Sequence, residues 1–223
     1  MTAVVHDGGG RVVVGNVPAP AVVEPDDAIV RVRVAAICGS DLHFLHGKAP
    51  LERGDVVGHE AVGVVQDAGE AVTRFRVGDR VVTAFHIACG ACWFCGRGQT
   101  QLYDRWRMLG AGLFGGELSG THAELVRVPV ADVNLLAVPE DVDDERAVFL
   151  GDVLTTAWYG ASVSAIEPRD TVAVVGAGPL GHLVALAAVS LGRGPCLRST
   201  ARRTGSRSPS ARACSRSTWA RGT

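Results

Sequence analysis

The sequence lacks acidic residues near its end and has almost no lysine. None of the 23 aspartates and glutamates of the 223-residue chain follows Asp170, and Lys48 is the single lysine beside 21 arginines. Eight basic residues follow Gly192, so the formal charge is −9 before that point (14 basic minus 23 acidic residues) and +8 after it. A segment rich in arginine and serine without a hydrophobic period cannot bury enough surface to offset its ordering entropy. Residues 193–223 are therefore predicted to form a disordered basic tail.

Segments that would direct the chain to a membrane or out of the cell are not expected either. The start, MTAVVHDGGG, has no basic region followed by an apolar run, so it does not resemble a secretory signal. The run 171–192 is nearly uncharged and long enough to span a bilayer, but glycines interrupt it. Half of the six cysteines lie in CGACWFC, a spacing that suits metal binding rather than a disulfide framework. These features predict a cytoplasmic protein without a membrane partner.

Short valine-rich segments separated by turn signals occupy the chain from Arg11 to Val130. In IVRVRV, apolar and basic residues alternate, as in a half-buried antiparallel strand. This part predicts a β-barrel or sandwich. The hydrophobic period then becomes helical, with Asp143 as an N-cap and Glu145 in the first turn.

The stretch TVAVVGAGPLGHLVALAAVSLG predicts a strand, a glycine turn and a helix. Its turn is GxGxxG, a weak signal alone that is strengthened by this context, and Pro179 suits the first helical position. The turn would bring the phosphates of a dinucleotide to a helix N-terminus. The residues assigned to this site are Gly176, Gly178, Pro179, Leu180 and Gly181. The carboxylate expected about 20 residues further on, for the ribose, is missing, so NAD and NADP both stay open.

Cys38, His59 and Asp152 are candidate metal ligands. A catalytic zinc takes three such ligands and keeps one open position. Taken singly, each residue has a plainer interpretation: a buried thiol, a satisfied polar side chain, and a turn or cap residue.

The order of several motifs resembles the zinc-containing medium-chain alcohol dehydrogenase family. The motifs are CGSDLH, GHE followed by Gly63, Gly69 and Val72, GDRV, CGACWFC and GAGPLG, and the resemblance covers roughly Pro25 to Gly192. It implies an α+β chain with a GroES-like β-barrel catalytic domain at 1–155. The first strand-turn-helix of an incomplete Rossmann domain would follow at 156–192, before the tail at 193–223.

The resemblance also implies roles for the residues around the first motifs. Cys38 and His59 would bind the catalytic zinc. The third ligand would be Asp152, because LGDVLTTAWYGA resembles the aspartate type found in glutathione-independent formaldehyde dehydrogenases. Ser40 and His43 match the family's proton relay, and for His43 a surface histidine without a role stays open. Glu60 would lie beside the ligands rather than act as a fourth one, and a plain surface charge stays open for it. For Asp41, a loop-positioning role and a simple turn role stay open.

In this family, Cys89, Cys92 and Cys95 would wrap a structural zinc together with a fourth cysteine eight residues on. Tyr103 stands at that position here, and Asp104 follows it. A neutral phenol is a poor ligand for a closed four-ligand site. The three thiols are therefore either a weak structural zinc site or the remains of one.

The expected function is the oxidation of a small alcohol to an aldehyde or ketone by hydride transfer to NAD or NADP, with zinc as the metal. Because the nucleotide domain is incomplete, this chain is expected to bind the cofactor poorly and to be weak or inactive. A non-catalytic zinc-binding barrel whose tail contacts nucleic acid is the alternative; it is disfavoured because Trp219 is the tail's one aromatic residue. Docking onto an intact homologue and homo-oligomer formation stay open.

The tail itself is interpreted as a frame-shifted version of an ordinary family sequence. The arginine excess indicates a GC-rich gene, and a one-base shift near Gly192 permits the strand RAVFAVD. That strand would end in the missing carboxylate. The codons of residues 198–200 would test this interpretation.

Overall fold

The computed structural model describes residues 1–48, 50–167 and 170–191, and the strand backbone at 196–200 and 213–214. The chain divides into two compact units, Met1–Gly151 and Asp152–Thr223. The first unit ends at Gly151. The domain bounds 1–155, 156–192 and 193–223 stay predictions.

The first unit is built mainly from antiparallel strands. They are β1 (Thr2–His6), β2 (Val12–Asn16), β3 (Ala28–Ala36), β4 (Glu60–Ala68), β5 (Arg80–Thr83), β6 (His86–Ile87), β7 (Arg107–Met108), β8 (Leu125–Val128) and β9 (Leu135–Ala137). Five of them form one sheet in the order β8-β3-β4-β5-β9, while β1 pairs with β2 and β6 with β7. The β-rich architecture predicted for this part of the chain is confirmed.

The alternation predicted for IVRVRV is present in β3. Val30 is buried there, whereas Arg31 and Arg33 are exposed. The valines contribute to a core that β4, β5 and β8 complete with Val65, Val81 and other apolar side chains. Burial of this apolar face is the main term that holds the sheet in register.

Short helices connect and follow these strands. The α-helices of the first unit are α1 (Gly39–Leu45), α2 (Ala131–Asn134) and α3 (Asp144–Ala147), and 3-10 turns cover Cys95–Arg97, Thr100–Leu102, Gly112–Gly115 and Val148–Gly151. The predicted N-cap is confirmed, because Asp143 Oδ1 accepts a hydrogen bond of 2.8 Å from the Arg146 amide.

The second unit contains α4 (Val153–Val163), β10 (Thr171–Val175), α5 (Pro179–Ser190), β11 (Cys196–Thr200) and β12 (Ala213–Cys214). The predicted strand-turn-helix is present as β10 and α5, with Pro179 at the first position of α5. In the described part of the chain, no helix combines the length and the apolar character needed to cross a bilayer.

The tail requires one correction. A single strand and helix of the nucleotide domain are predicted, with disorder after residue 192, but β11 pairs in parallel with β10, and Val175 lies opposite Thr200. Pairing of this kind uses backbone N–H and C=O groups, which are present whatever the side-chain pattern. The other residues of 193–223 lie outside the described residues, as does most of the segment on which the nucleic-acid alternative depends.

Candidate metal centre and cofactor turn

The start of α1 holds Cys38 in place. Cys38 directly precedes the helix, and its amide donates a hydrogen bond of 2.9 Å to Asp41 Oδ2. Its sulphur lies 3.6 Å from Ser40 Oγ. His43, one turn further along α1, is exposed to solvent. The predicted thiol, hydroxyl and imidazole therefore follow one another along a single short helix.

The chain entering β4 positions His59 and Glu60. Both side chains are buried, with 0% and 3% of their surface exposed. Gly58 has a φ of +92°, and a Cβ atom there would lie 2.4 Å from the ring of His122. Only glycine combines this conformation with that close approach. The turn thus packs tightly before the buried imidazole and carboxylate.

One ligand atom from each of Cys38, His59 and Glu60 lies within 4.8 Å of the others. Thiolate, imidazole and carboxylate are the three protein ligands that zinc takes. Burial of a carboxylate beside a thiol is costly unless positive charge compensates it. The donor set therefore fits a divalent zinc ion.

Asp41 contributes a contact to this group that the sequence did not assign. Its Oδ1 lies 3.0 Å from His59 Nδ1, and the carboxylate is 4% exposed. A histidine that donates Nδ1–H to a carboxylate keeps Nε2 as the ligand atom, a common arrangement behind metal-binding histidines. The signal in the sequence is the spacing of Asp41, three residues after the helix cap at Cys38, as in a capping box.

Phe85 is a second neighbour that the sequence did not indicate. It lies between β5 and β6, half-buried, and its ring centroid is 6.3 Å from that of His59 with the rings edge to face. The ring places an apolar surface beside the buried imidazole.

Asp152 is the first residue of the second unit, joined by its peptide bond to Gly151 of the first. Its Oδ1 accepts a hydrogen bond of 3.0 Å from Thr156 Oγ1, and its carbonyl accepts one of 2.9 Å from the Thr156 amide. Its side chain makes no capping bond to the amides of α4, although it stands at the cap position. Helix capping therefore does not explain this carboxylate.

The second cysteine cluster is formed in the structure. Three sulphur atoms lie within 4.8 Å of one another, those of Cys89, Cys92 and Cys95. The Cys92 amide lies 3.2 Å from Cys89 Sγ, and the Cys95 amide lies 3.5 Å from Cys92 Sγ. Tyr103, at the expected position of a fourth ligand, is a buried phenol. The residues present do not fit a closed four-cysteine zinc site.

Backbone amides also influence the acidity of these thiols. The hydrogen bond from the Cys95 amide, aided by that from Asp104 and opposed by burial, lowers the pKa of Cys92 to about 7. Burial, together with the hydrogen bond to Cys92, raises the pKa of Cys95. The amides thus favour negative charge on the middle sulphur of the cluster.

The glycine turn after β10 has the geometry that a pyrophosphate needs. Gly176 has a φ of +105°, and a Cβ atom on Gly181 would lie 2.0 Å from the Gly176 carbonyl oxygen. Gly178 caps α5, and Pro179 and Leu180 begin it. Close backbone approach and an open helix N-terminus are the features that admit dinucleotide phosphates. The turn therefore fits NAD(P).

Comparison with known proteins places these features in a family. The alcohol dehydrogenase GroES-like domain matches residues 24–140, which is more than half of the chain. A zinc-type alcohol dehydrogenase-like protein of Schizosaccharomyces pombe is 37% identical over 198 residues, which cover 81% of this chain and 47% of that protein. The glutathione-independent formaldehyde dehydrogenase of Pseudomonas aeruginosa is 36% identical over 206 residues, which cover 85% of this chain and 51% of that protein.

Among solved structures, alcohol dehydrogenase TADH from Thermus sp. ATN1 is similar, with a TM-score of 0.86 and 45% identity over 92% of this chain and 59% of that one. The chain spans about half the length of the curated relatives it matches. The resemblance inferred from the motifs, including that to formaldehyde dehydrogenases, is confirmed. The chain belongs to the zinc-type medium-chain alcohol dehydrogenase family through its GroES-like domain.

Proposed function

We propose that Cys38, His59 and Asp152 hold one catalytic zinc ion in an enzyme that oxidises a small alcohol to an aldehyde or ketone with NAD(P). The observation that carries the proposal is the meeting of the Cys38 thiol, the His59 imidazole and the Glu60 carboxylate within 4.8 Å. Asp41, 3.0 Å from His59 Nδ1, adds the supporting carboxylate that such histidines use.

Asp152 is the third ligand in this proposal, with Glu60 beside the metal. Asp152 directly follows Gly151, where a Cβ atom would lie 2.4 Å from the Thr83 carbonyl oxygen of β5. Consecutive Cα atoms are 3.8 Å apart, so the peptide bond keeps the Asp152 backbone next to that strand end. Its carboxylate caps no amide of α4, and its hydrogen bond from Thr156 Oγ1 is compatible with metal binding, because ligating carboxylates are themselves hydrogen-bonded.

A zinc ion held by these residues supplies Lewis acidity towards the oxygen of an alcohol or carbonyl. Asp41 orients the His59 ring and fixes its tautomer, so that Nε2 carries no proton. Phe85 gives the site an apolar wall, which excludes water from the reacting atoms and strengthens local electrostatic interactions.

Ser40 and His43 would move the alcohol proton to solvent. Ser40 Oγ lies 3.6 Å from Cys38 Sγ, at the inner end of α1. His43 is three residues further on, so it shares a face of the helix with Ser40, and it is exposed. A hydroxyl near the metal ligands followed by an exposed imidazole is a suitable order for proton transfer out of a buried site.

The turn of Gly176, Gly178 and Gly181 would bind the pyrophosphate of NAD(P), which supplies the ring that accepts hydride. No aspartate or glutamate stands at or after the end of β11 to bind the adenosine ribose. We therefore propose that this chain binds the cofactor weakly and has little or no activity by itself.

The metal assignment is tested by zinc analysis of the reduced full chain after gel filtration. Cys38→Ser and His59→Ala should each lose about one zinc per chain, because a three-ligand site does not survive loss of a ligand. Cys89→Ser is the matched control, since it removes a thiol from the other cluster and should keep this zinc. If Cys38→Ser keeps all its zinc while Cys89→Ser loses it, the two sites have been assigned the wrong way round.

A further inference from the structure

The segment formed by residues 120–122 runs beside the turn that precedes His59. Its three amides donate hydrogen bonds of 2.9, 2.9 and 3.0 Å to three consecutive carbonyl groups, those of Val56, Gly58 and Val57 respectively. Thr121, which is fully buried, also donates from Oγ1 to the carbonyl of Glu60 at 3.3 Å. The backbone on both sides of His59 is therefore bonded to this segment.

The side chain of His122 reaches from this segment to the chain that carries the other ligand. Its Nε2 lies 2.9 Å from the carbonyl oxygen of Ala36, and because a carbonyl only accepts, Nε2 is the donor. Ala36 is the last residue of β3, two residues before Cys38, and it pairs with Glu60 at the start of β4. The imidazole thus holds the backbone at the point where the chain leaves β3 towards Cys38.

The same imidazole packs directly on Gly58. A Cβ atom at that position would overlap the Cδ2 and Cγ atoms of the His122 ring, so the ring occupies the space that a side chain would need. Gly58 immediately precedes His59 in the chain. One side chain therefore contacts the backbone beside both ligands, through a hydrogen bond on the Cys38 side and through van der Waals contact on the His59 side.

The backbone of His122 is itself held from two sides. Its amide donates to the Val57 carbonyl at 3.0 Å, and its carbonyl accepts a hydrogen bond of 2.8 Å from the amide of Val4 in β1. The residue is half-buried between these contacts. Ligand sets are kept in place by residues whose own positions are fixed by packing and hydrogen bonds, and His122 meets that condition.

We infer that His122 is a positioning residue that links the segments carrying Cys38 and His59, and so keeps the thiol and the imidazole within the 4.8 Å at which they meet. The inference rests on the zinc site proposed above. Ala36 has only a methyl group and Gly58 has no side chain, so a link between them has to come from a third residue. His122 acts through the backbone beside the ligands and does not itself bind the metal.

Two variants separate the ring of His122 from its hydrogen bond. His122→Phe keeps a flat ring against Gly58 but offers no donor to the Ala36 carbonyl. His122→Gln offers an amide donor in place of Nε2. We expect His122→Phe to weaken zinc binding about tenfold, at the lower end of the effect of residues that support metal ligands, because the contact is to backbone. His122→Gln should recover most of this loss.

Zinc affinity is measured by competition with a chromophoric chelator, in the full chain carrying Cys89→Ser so that the second cysteine cluster is weakened as a competitor. His6→Phe is the matched control. The buried His6 also places a ring nitrogen near a carbonyl, that of Glu52 at 3.3 Å, and its loss should leave the zinc affinity unchanged.

Hydrogen–deuterium exchange of the metal-free chain gives a second measurement that does not depend on zinc. His122→Phe should speed exchange in peptides that cover residues 36–42 and 57–60, while the centre of β4 stays protected, because local opening involves the contacts that have been lost. His122→Gln should restore slow exchange in both peptides.

Wild-type zinc affinity together with unchanged exchange in a folded His122→Phe chain would overturn the inference. Equal losses in His122→Phe and His122→Gln, or faster exchange across the whole first unit, would also overturn it, because either result would indicate a general loss of stability. An unchanged chain without zinc at Cys38 would contradict the proposed function instead, and exchange in the metal-free chain would still decide the role of His122.

Discussion

Replacement of Asp41 by asparagine removes one charge and keeps the shape of a buried side chain. In the structure, Oδ2 accepts a hydrogen bond of 2.9 Å from the Cys38 amide, and Oδ1 faces His59 Nδ1 at 3.0 Å. Asparagine has one acceptor oxygen for these two positions. If its oxygen serves Cys38, its NH₂ group faces His59 Nδ1 and favours the tautomer with a proton on Nε2, which blocks the ligand atom.

The opposite orientation is no better. If the oxygen faces His59, the NH₂ group meets the Cys38 amide, and a buried donor loses its partner at a cost of about 1–3 kcal/mol. We therefore expect Asp41→Asn to weaken zinc binding at the Cys38 and His59 site about 10- to 100-fold, which corresponds to about 1.4–2.8 kcal/mol.

Competition between the protein and a chromophoric zinc chelator at pH 7.5 measures this change. Asp132→Asn is the control, since it makes the same carboxylate-to-amide change at a residue that bonds Thr73 and Arg74 rather than Cys38 and His59. Wild-type zinc affinity in a folded Asp41→Asn protein would refute the reasoning, because it would show that His59 does not need the carboxylate to bind the metal.

Two further predictions concern stability and the cofactor. Burial opposes ionisation of Asp132, but hydrogen bonds from Thr73 and Arg74 and the charge of Arg74 outweigh it and lower its pKa. Asp132→Asn should therefore lower the free energy of unfolding by about 1 kcal/mol at pH 7. Urea unfolding should show this difference fade as the pH drops below about 4 and through the pKa of Asp132 in the folded protein. A difference that does not depend on pH would contradict this. Calorimetry should detect weak NADH binding to the unchanged chain. Gly181→Val should abolish it, because the new side chain would collide with the Gly176 carbonyl. A tight, saturable isotherm for the unchanged chain would contradict the proposed weak binding.

The parts of the fold that follow from the sequence are those in which side-chain chemistry determines the backbone. Three such features can be read from the residue order, and the structure has all three. They are the alternation at Val30 and Arg31, the cap at Asp143 and the proline at the start of α5. The strand β11 could not be predicted in this way, because CLRST has neither an apolar run nor a strict alternation. Its pairing with β10 depends on backbone groups.

In the candidate metal centre, too, some features follow from the residue order and others depend on how the elements pack. Motif spacing is sufficient to propose Cys38 and His59, since both stand next to glycines in short, recognisable motifs. The contact between Asp41 and His59 joins residues from α1 and the start of β4, and that distance is determined by how the two elements pack. Phe85 is missed for the same reason, because a single aromatic residue between strands carries no signal of its neighbour.

The two cysteine-containing clusters differ in how their geometry is maintained, and this bears on what each can do. At Cys38, the supporting carboxylate of Asp41 contacts a ligand directly, so charge at the metal and the position of the ligand are coupled. At Cys89, the support comes from Asn134, a neutral amide whose hydrogen bonds hold the backbone of Ala88 just before the first thiol. These hydrogen bonds hold the loop through its backbone, so the position of the thiols does not depend on a charged side chain.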